Sequence, residues 1–219
     1  MALIDLSHTI THGLATYPGL PSPVIRDYLS REASRALYEP GTSFHISKIE
    51  MVANTGTYVD APFHRFDEGA DVSELPLERL ADLRGFVVRA RDVDARALGP
   101  ELFEEAAAEG VAVLVDTGWC TRFGTPAYFE PHPYLTADAA QLLADRRVAF
   151  VGIDSVNIDD REDPLRPAHT TLLRARIPIC EHMNALDALP DYGFRLHAVP
   201  VKVRGMGTFP VRAYAVVPD

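Results

Sequence analysis

Two continuous apolar runs, separated by an amphipathic segment, constrain the fold of this chain more than any other feature. Residues 111–115 (VAVLV) and 148–153 (VAFVGI) have the length and composition of strands buried on both faces. Between them, residues 136–146 place three apolar side chains on one face of a helix that Thr136 can cap. Because helices that alternate with buried strands are typical of such sheets, the sequence predicts an α/β fold with a mixed β-sheet core flanked by helices.

Shorter segments extend this pattern along the rest of the chain. Strands are predicted at residues 2–7, 43–52, 85–90, 177–180, 194–203 and 211–217, and further helices at residues 100–109 and 169–174. The strand at 43–52 is expected to be mostly covered on both faces, and residues 17–23, with three prolines, to form a surface loop. No repeat or linker divides these pieces, so we expect one domain over residues 1–219.

Composition and charge exclude several classes of protein. With 219 residues, 47% of them hydrophobic, the chain can bury one substantial core. Lys and Arg total 21 against 31 Asp and Glu, and no basic stripe is present, which argues against nucleic acid as a partner. Cys120 and Cys180 form no CxxC pair, and neither a secretory signal nor an apolar run of membrane-spanning length is found. We therefore expect a soluble, cytoplasmic protein with reduced cysteines and no membrane association.

The segment of residues 54–64 (NTGTYVDAPFH) concentrates polar side chains. Four of them fall on even-numbered positions: Asn54, Tyr58, Asp60 and His64. On an extended backbone these would point to one side, and Pro62 rules out an ordinary helix, while Gly56 permits a close backbone approach or a positive φ. Two interpretations stay open from the local pattern: a functional site, or a polar strand end where Asp60 accepts backbone bonds and His64 is a surface histidine.

This segment resembles the signature of the cyclase family that includes the kynurenine formamidases, His-x-Gly-Thr-His-x-Asp-x-Pro-x-His. The match keeps Gly56, Thr57, Asp60, Pro62 and His64. It departs at two positions, because Asn54 and Tyr58 stand where the family has histidines. Other stretches resemble the family in the expected order: residues 116–119 (DTGW), 127–130 (AYFE), 151–154 (VGID), His169 with Glu181, and 205–212 (GMGTFPVR). The resemblance covers nearly the whole chain and implies a swivelling β/β/α fold.

The resemblance also implies a metal site. The family ligates one ion through residues that match Asp60, His169 and Glu181, and its catalytic histidine matches His64. One imidazole and two carboxylates suit a catalytic divalent ion, and we expect zinc, with manganese as the alternative. A second metal site is expected to be absent, because the amide of Asn54 and the neutral phenol of Tyr58 are poor zinc ligands.

These residue types suit hydrolysis of an amide or ester. A bound metal activates water and polarises the carbonyl, and His64 can move a proton near neutral pH. As hypotheses, Tyr58 donates a hydrogen bond to the developing oxyanion, and Asn54 orients the water or the substrate. An aromatic wall for the substrate is a further hypothesis, with ordinary packing as its alternative: Tyr17, Trp119, Tyr128 and Phe129.

Three other residues have two interpretations each. His45 either replaces a lost ligand or packs as a strand histidine. His182 directly follows Glu181 and would face the opposite way on a strand, so we interpret it as structural. Asp154 ends a buried strand and is either a partner that orients His169 or a capping residue.

The function implied by the resemblance is an arylformamidase-like hydrolase, converting N-formylkynurenine to kynurenine and formate in tryptophan catabolism. Lactone hydrolases and polyketide-type cyclases are alternatives within the same resemblance. A catalytically inactive protein that binds a small molecule or a partner on this scaffold is an alternative of another class. Family members are commonly homodimers or homotetramers, so we expect a homo-oligomer that acts on a small-molecule substrate.

Overall fold

A computed structural model describes residues 1–218 and shows a central mixed sheet of nine strands. In chain order the strands are β1 (Ala2–Asp5), β2 (Val24–Leu29), β3 (Ile46–Glu50), β4 (Tyr58–Asp60), β5 (Leu83–Arg89), β6 (Ala97–Leu98), β7 (Val111–Asp116), β8 (Tyr134–Leu135), β9 (Phe150–Ile153), β10 (Ile179–Glu181), β11 (Tyr192–His197), β12 (Thr208–Pro210) and β13 (Tyr214–Val217). The α-helices are α1 (Arg31–Ser34), α2 (Ala137–Asp145) and α3 (Pro167–Arg174).

The large sheet has the order β1-β13-β11-β5-β7-β9-β10-β4-β12. Strands β5, β7, β9 and β10 run parallel, whereas the strands on both flanks pair antiparallel. Two small sheets, β2 with β3 and β6 with β8, complete the strands. The prediction of a single-domain α/β fold with a mixed sheet is confirmed, while the domain bounds of 1–219 stay a prediction.

Alternation along the central strands separates two apolar cores. On β7, Val113 and Val115 belong to one cluster, and Ala112 and Leu114 to the other. Helices α2 and α3 pack against the first cluster through buried residues such as Leu143. Because both faces are covered, β7 and β9 are continuous apolar runs, as expected for parallel strands in the middle of a sheet.

Helix α2 begins where the sequence predicts, whereas α3 begins at Pro167, two residues before the predicted start at His169. The side chain of Thr136 accepts a hydrogen bond from the Ala139 amide and caps α2, which confirms the predicted helix. Pro167 occupies the first turn of α3, where a missing N–H costs little. Among residues 1–218, the helices are all too short and too polar to cross a membrane.

Three predicted elements were wrong in part. Residues 100–109 hold only a 3₁₀ turn at Pro100–Leu102 followed by turns, because a short helix is marginal and the buried Phe103 anchors the chain without one. The strand predicted at 43–52 is β3, whose five residues are all exposed since it pairs only with β2. The strand predicted at 194–203 ends at His197.

Candidate active site

Strand register brings the first site residues together. Strand β4 lies between β10 and β12, so Tyr58 is opposite Glu181 and Asp60 is opposite Thr208. The Tyr58 hydroxyl donates to Glu181 Oε2 at 2.6 Å, and the Thr208 hydroxyl donates to Asp60 Oδ1. Because Tyr58 and Asp60 are two residues apart on one strand, they share a face, as the even-numbered pattern predicts.

Beyond Asp60 the chain turns instead of continuing as a strand. Residues Pro62–His64 form a 3₁₀ turn, so the extended course expected up to His64 ends at Asp60. His64 Nδ1 is 3.0 Å from Thr208 Oγ1 and 3.8 Å from Asp60 Oδ1. Since the single hydroxyl proton of Thr208 goes to Asp60, a neutral His64 must donate from Nδ1, which leaves Nε2 as the basic nitrogen.

Two glycines make this arrangement possible. Gly56 has φ +67, and a Cβ there would lie 2.8 Å from Ile10 Cγ1, so both a positive φ and a close contact are present, as expected. A Cβ on Gly207 would lie 2.6 Å from His64 Cα and 2.7 Å from its backbone nitrogen. The backbone before β12 therefore passes directly behind His64, where any side chain would displace it.

His169, in the first turns of α3, is oriented by Asp159. Its Nδ1 is 2.6 Å from Asp159 Oδ2, and the same carboxylate accepts the amide of Ala168 at 2.6 Å and that of His169 at 3.0 Å. The Nδ1 proton is thereby fixed, and Nε2 faces the site, where it can bind either a proton or a metal ion. Asp154 was predicted either to orient His169 or to cap a loop; its Oδ1 accepts a hydrogen bond from the Thr117 amide, which fits the capping interpretation. Asp159 was missed, although an acidic residue shortly before a helix is a recognisable signal.

The ligating groups converge on a small volume. His169 Nε2 lies 3.6 Å from both Asp60 Oδ2 and Glu181 Oε1. Ligand atoms of Asp60, His64 and His169 all lie within 4.8 Å of one another. Asp60 Oδ2 is buried and has no hydrogen-bond partner in residues 1–218. An orphaned carboxylate oxygen beside an imidazole and a second carboxylate is the donor set that a divalent cation satisfies.

The electrostatics of the site reflect its concentrated negative charge. Burial raises the pKa of Glu181 to about 7, opposed by His169 and reinforced by Asp60. Burial also favours neutral His169, yet Glu181, Asp159 and Asp60 together raise its pKa to about 10. Burial opposes the ionisation of Asp60 as well, but His64, His169 and Thr208 outweigh it and lower its pKa. The protein therefore needs positive charge at this position, whether a proton or a metal ion supplies it.

A cavity of about 380 Å³ opens onto these groups. It is lined by Tyr17, Pro18, Leu20, Asn54, Tyr58, His64, Arg65, Asn157, Arg166, His169 and Glu181. Six residues of the sequence analysis are among them, whereas Arg65, Asn157 and Arg166 were missed because nothing in their spacing marks them. The cavity is open enough to admit a small molecule.

Of the four aromatic residues expected to contact the substrate, Trp119, Tyr128 and Phe129 are not part of this lining. Tyr128 is fully buried, and its carbonyl accepts from the indole N–H of Trp119 at 2.8 Å. Phe129 packs on Tyr128 with ring centroids 5.6 Å apart. Tyr17 lines the cavity itself, so it is the one member of the expected aromatic wall placed there. Substrate contact by these four residues stays a prediction.

Two histidines considered as site residues have other surroundings. His45 is exposed directly before β3, where its Nε2 is 2.7 Å from Asp27 Oδ1 on β2. His182 is fully buried, with its ring centroid 5.1 Å from that of Tyr58. Burial lowers the pKa of His182 to about 3, so it is neutral and packs as part of the interior. Cys120 and Cys180 are buried free thiols, as expected.

The sequence of this chain is similar to those of known proteins. The family model described as "Putative cyclase" matches residues 4–160. Kynurenine formamidase of Bacillus cereus is 32% identical over 96% of this chain and 95% of that protein. The kynurenine formamidase of Salinibacter ruber is 31% identical over 97% and 96% of the two chains.

Solved structures show the same fold. Isatin hydrolase A from Labrenzia aggregata, bound to benzyl benzoate, superposes with a TM-score of 0.85 at 24% identity, covering 100% of this chain and 94% of that one. A potential metal-dependent hydrolase with cyclase activity has a TM-score of 0.81 at 25% identity, covering 100% and 98%. With a family model over most of the chain and near full-length relatives, this protein belongs to the cyclase family, and these relatives place it among that family's hydrolases.

Proposed function

We propose that this protein is a metal-dependent hydrolase of small-molecule amides or esters, with N-formyl arylamines such as N-formylkynurenine as its substrates. One observation carries the proposal. Asp60 Oδ2, buried and without a hydrogen-bond partner among residues 1–218, lies 3.6 Å from Nε2 of His169, and His169 lines the cavity of about 380 Å³. The sequence similarity to kynurenine formamidases supports the choice of substrate.

Asp60, His169 and Glu181 would hold one divalent ion, with zinc as our assignment and manganese as the alternative. When bound, such an ion lowers the pKa of its water and polarises the carbonyl that is attacked. The Tyr58 hydroxyl is already bonded to Glu181 Oε2 at 2.6 Å, on the side where the family has a further histidine ligand. This contact supports a single-ion site.

His64 would transfer the proton in this reaction. Its Nδ1 is held by Thr208, and Thr208 in turn is held by Asp60, so the orientation of the ring is coupled to the site. Nε2 then accepts a proton from water and returns it to the leaving amine, since an imidazole exchanges protons near neutral pH. Asn54 lines the cavity and would orient the substrate through its amide.

Tyr58 fits a positioning role better than the oxyanion role. Its only hydroxyl proton is donated to Glu181, and burial, reinforced by Glu181 and Asp60, raises its pKa well above 10. A neutral phenol with its proton committed to a carboxylate steadies that carboxylate and has no second proton for an oxyanion.

We also propose that the protein is a cytoplasmic homo-oligomer. Strands β2 and β3 form a separate two-stranded sheet outside the main one. This small sheet exposes apolar side chains such as Ile25, Tyr28, Ile46 and Ile49. A two-stranded sheet is only marginally stable on its own, and a second copy of the chain would cover this apolar surface. Two unpaired thiols fit a reducing compartment.

Metal analysis followed by hydrolase assays tests the proposed function. Protein purified without chelator is expected to carry close to one zinc or manganese per chain. It should hydrolyse an aryl formamide, and chelation should abolish that activity until metal is restored. The His169→Ala variant should lose the metal, whereas His45→Ala, directly before β3, should retain it. No metal, and no activity on formamides, esters or lactones with zinc or manganese supplied, would refute the proposal.

A further inference from the structure

Two arginines at the cavity have no carboxylate partner. Arg65 and Arg166 both line it, and within residues 1–218 neither guanidinium forms an ion pair with Asp or Glu. Other arginines of the chain are neutralised by carboxylates, as Arg89 and Arg91 are by Asp116. In a protein with a formal net charge of −10, two unpaired guanidinium groups beside one cavity provide local positive charge that the fold leaves available.

Neutral oxygens hold Arg166 in place. Its Nη1 donates to Asn157 Oδ1 and to the carbonyl of Asp160, both at 3.2 Å, and its Nη2 donates to the carbonyl of Arg161 at 3.2 Å. These contacts use three of the five N–H bonds of the guanidinium, and Tyr17, on the cavity lining, also lies in hydrogen-bonding range of Arg166. The backbone of Arg166 has φ +50, a left-handed conformation that a non-glycine residue adopts at a cost. The chain therefore fixes this side chain without neutralising it.

Arg65 directly follows His64 in the sequence and also lines the cavity. Its Nε donates to Thr170 Oγ1 at 3.2 Å, which anchors the side chain on α3. Its two terminal nitrogens make no hydrogen bond within residues 1–218. A guanidinium anchored at Nε with both terminal nitrogens free is suited to a bidentate contact with a carboxylate.

The rest of the cavity mouth is apolar and aromatic. Tyr17, Pro18 and Leu20 form this part of the lining. The guanidinium of Arg161 lies 5.7 Å from the centroid of the Tyr17 ring and adds a third positive charge nearby. An apolar surface next to unpaired guanidinium groups fits a ligand with an aromatic body and an anionic end.

We propose that Arg65 and Arg166 bind a carboxylate of the substrate and are specificity-determining residues, so that the protein selects anionic aromatic amides or esters over neutral ones. The inference rests on the proposed hydrolase function for its kinetic test, but the binding of the carboxylate does not require turnover. The overall charge of the chain repels anions, so this preference depends on the local guanidinium groups.

A matched substrate pair tests the inference. Meta-formamidobenzoate and its methyl ester share the formamide bond and differ in the negative charge. The metal-loaded protein is expected to have the higher kcat/KM for the carboxylate. Arg65→Gln and Arg166→Gln should each reduce this preference at least about tenfold, mainly through KM, since each removes a charge-assisted contact. Arg166→Lys should restore part of it. Arg174→Gln, which removes an exposed arginine of α3 outside the cavity lining, is the control and should keep the preference.

Calorimetric binding of meta-aminobenzoate separates this inference from the proposed function. Binding to the wild type that is lost in the Arg65→Gln/Arg166→Gln double variant supports the carboxylate site, even if neither formamide is hydrolysed and the hydrolase proposal fails. Hydrolysis of both formamides with a preference that no arginine variant changes would overturn the inference while the hydrolase function stands. Absence of meta-aminobenzoate binding to the wild type would overturn the inference, whatever the outcome of the hydrolase assays. Circular dichroism of each variant establishes that it is folded.

Discussion

Acid sensitivity should depend strongly on one buried histidine outside the metal site. His132 is 1% exposed, its Nδ1 is 2.9 Å from the carbonyl oxygen of Pro133, and its buried Nε2 has no hydrogen-bond partner within residues 1–218. Burial lowers its pKa from 6.5 to about 4, and the charges of Arg161 and Arg96 act in the same direction. Between these two values the unfolded chain binds a proton that the folded chain does not, so the free energy of unfolding falls as the pH falls below 6.5.

The size of this effect follows from the two pKa values. At 1.36 kcal/mol per pH unit, the interval from 6.5 to about 4 corresponds to about 3 kcal/mol, of which about 2 kcal/mol is lost between about pH 7 and about pH 5. This is a large share of the roughly 5–15 kcal/mol that stabilises a typical domain. His132→Asn keeps a donor for the Pro133 carbonyl but cannot titrate. Its loss of stability over this range should therefore be smaller than that of the wild type by about 2 kcal/mol.

Urea unfolding of both proteins at a series of pH values measures this difference directly. His45→Asn, which removes an exposed imidazole, is the matched control and should give a curve parallel to that of the wild type. Parallel curves for the wild type and His132→Asn would refute the reasoning, because they would mean that His132 binds its proton equally in the folded and unfolded chains.

Three further predictions concern the site. Asp159→Asn should weaken metal binding by about 10–100-fold in a chelator competition, because an amide cannot hold the Nδ1 proton of His169 as a carboxylate does, while Asp160→Asn should not. Gly207→Ala should lower kcat in a steady-state formamidase assay, since its Cβ would lie 2.6 Å from His64 Cα and displace the ring. His64→Ala should lower kcat by at least about 100-fold with metal content retained, as expected for a proton-transfer residue; loss of the metal instead would make His64 a ligand.

The sequence indicates the centre of the sheet well and its periphery poorly. Apolar runs such as β7 and β9 can be identified because they are buried on both faces, and such runs fit few other structures. Strand β3 (ISKIE) alternates only partly, and its exposure follows from its pairing with β2 alone, which no local pattern specifies. Short-range patterns predict the elements, whereas the partner of each strand decides whether its apolar residues lie inside.

The site shows the same division. Asp60 and His64 are candidates from the segment of residues 54–64, and His169 and Glu181 are candidates from a second stretch that resembles the same family. The residues that orient them could not be recognised in this way. Thr208 reaches Asp60 only through the pairing of β12 with β4, across 148 positions of sequence. The register of a sheet is a tertiary property, so such contacts follow from the fold and not from a motif.

The strand register shows what Tyr58, one of the two departures from the family signature, contacts in this chain; Asn54 is the other. Tyr58 is opposite Glu181 on the neighbouring strand, and its phenol reaches the carboxylate at 2.6 Å. In the family signature this position is a histidine that ligates a metal ion. The phenol of Tyr58 instead donates its proton to Oε2 of Glu181 and leaves Oε1 facing His169 at 3.6 Å. Asn54 borders the cavity and supplies an amide in place of a second imidazole. Where the family signature has two histidines, this chain thus has two hydrogen-bonding side chains, and Asp60, His169 and Glu181 remain the three ligands that we propose for a single ion.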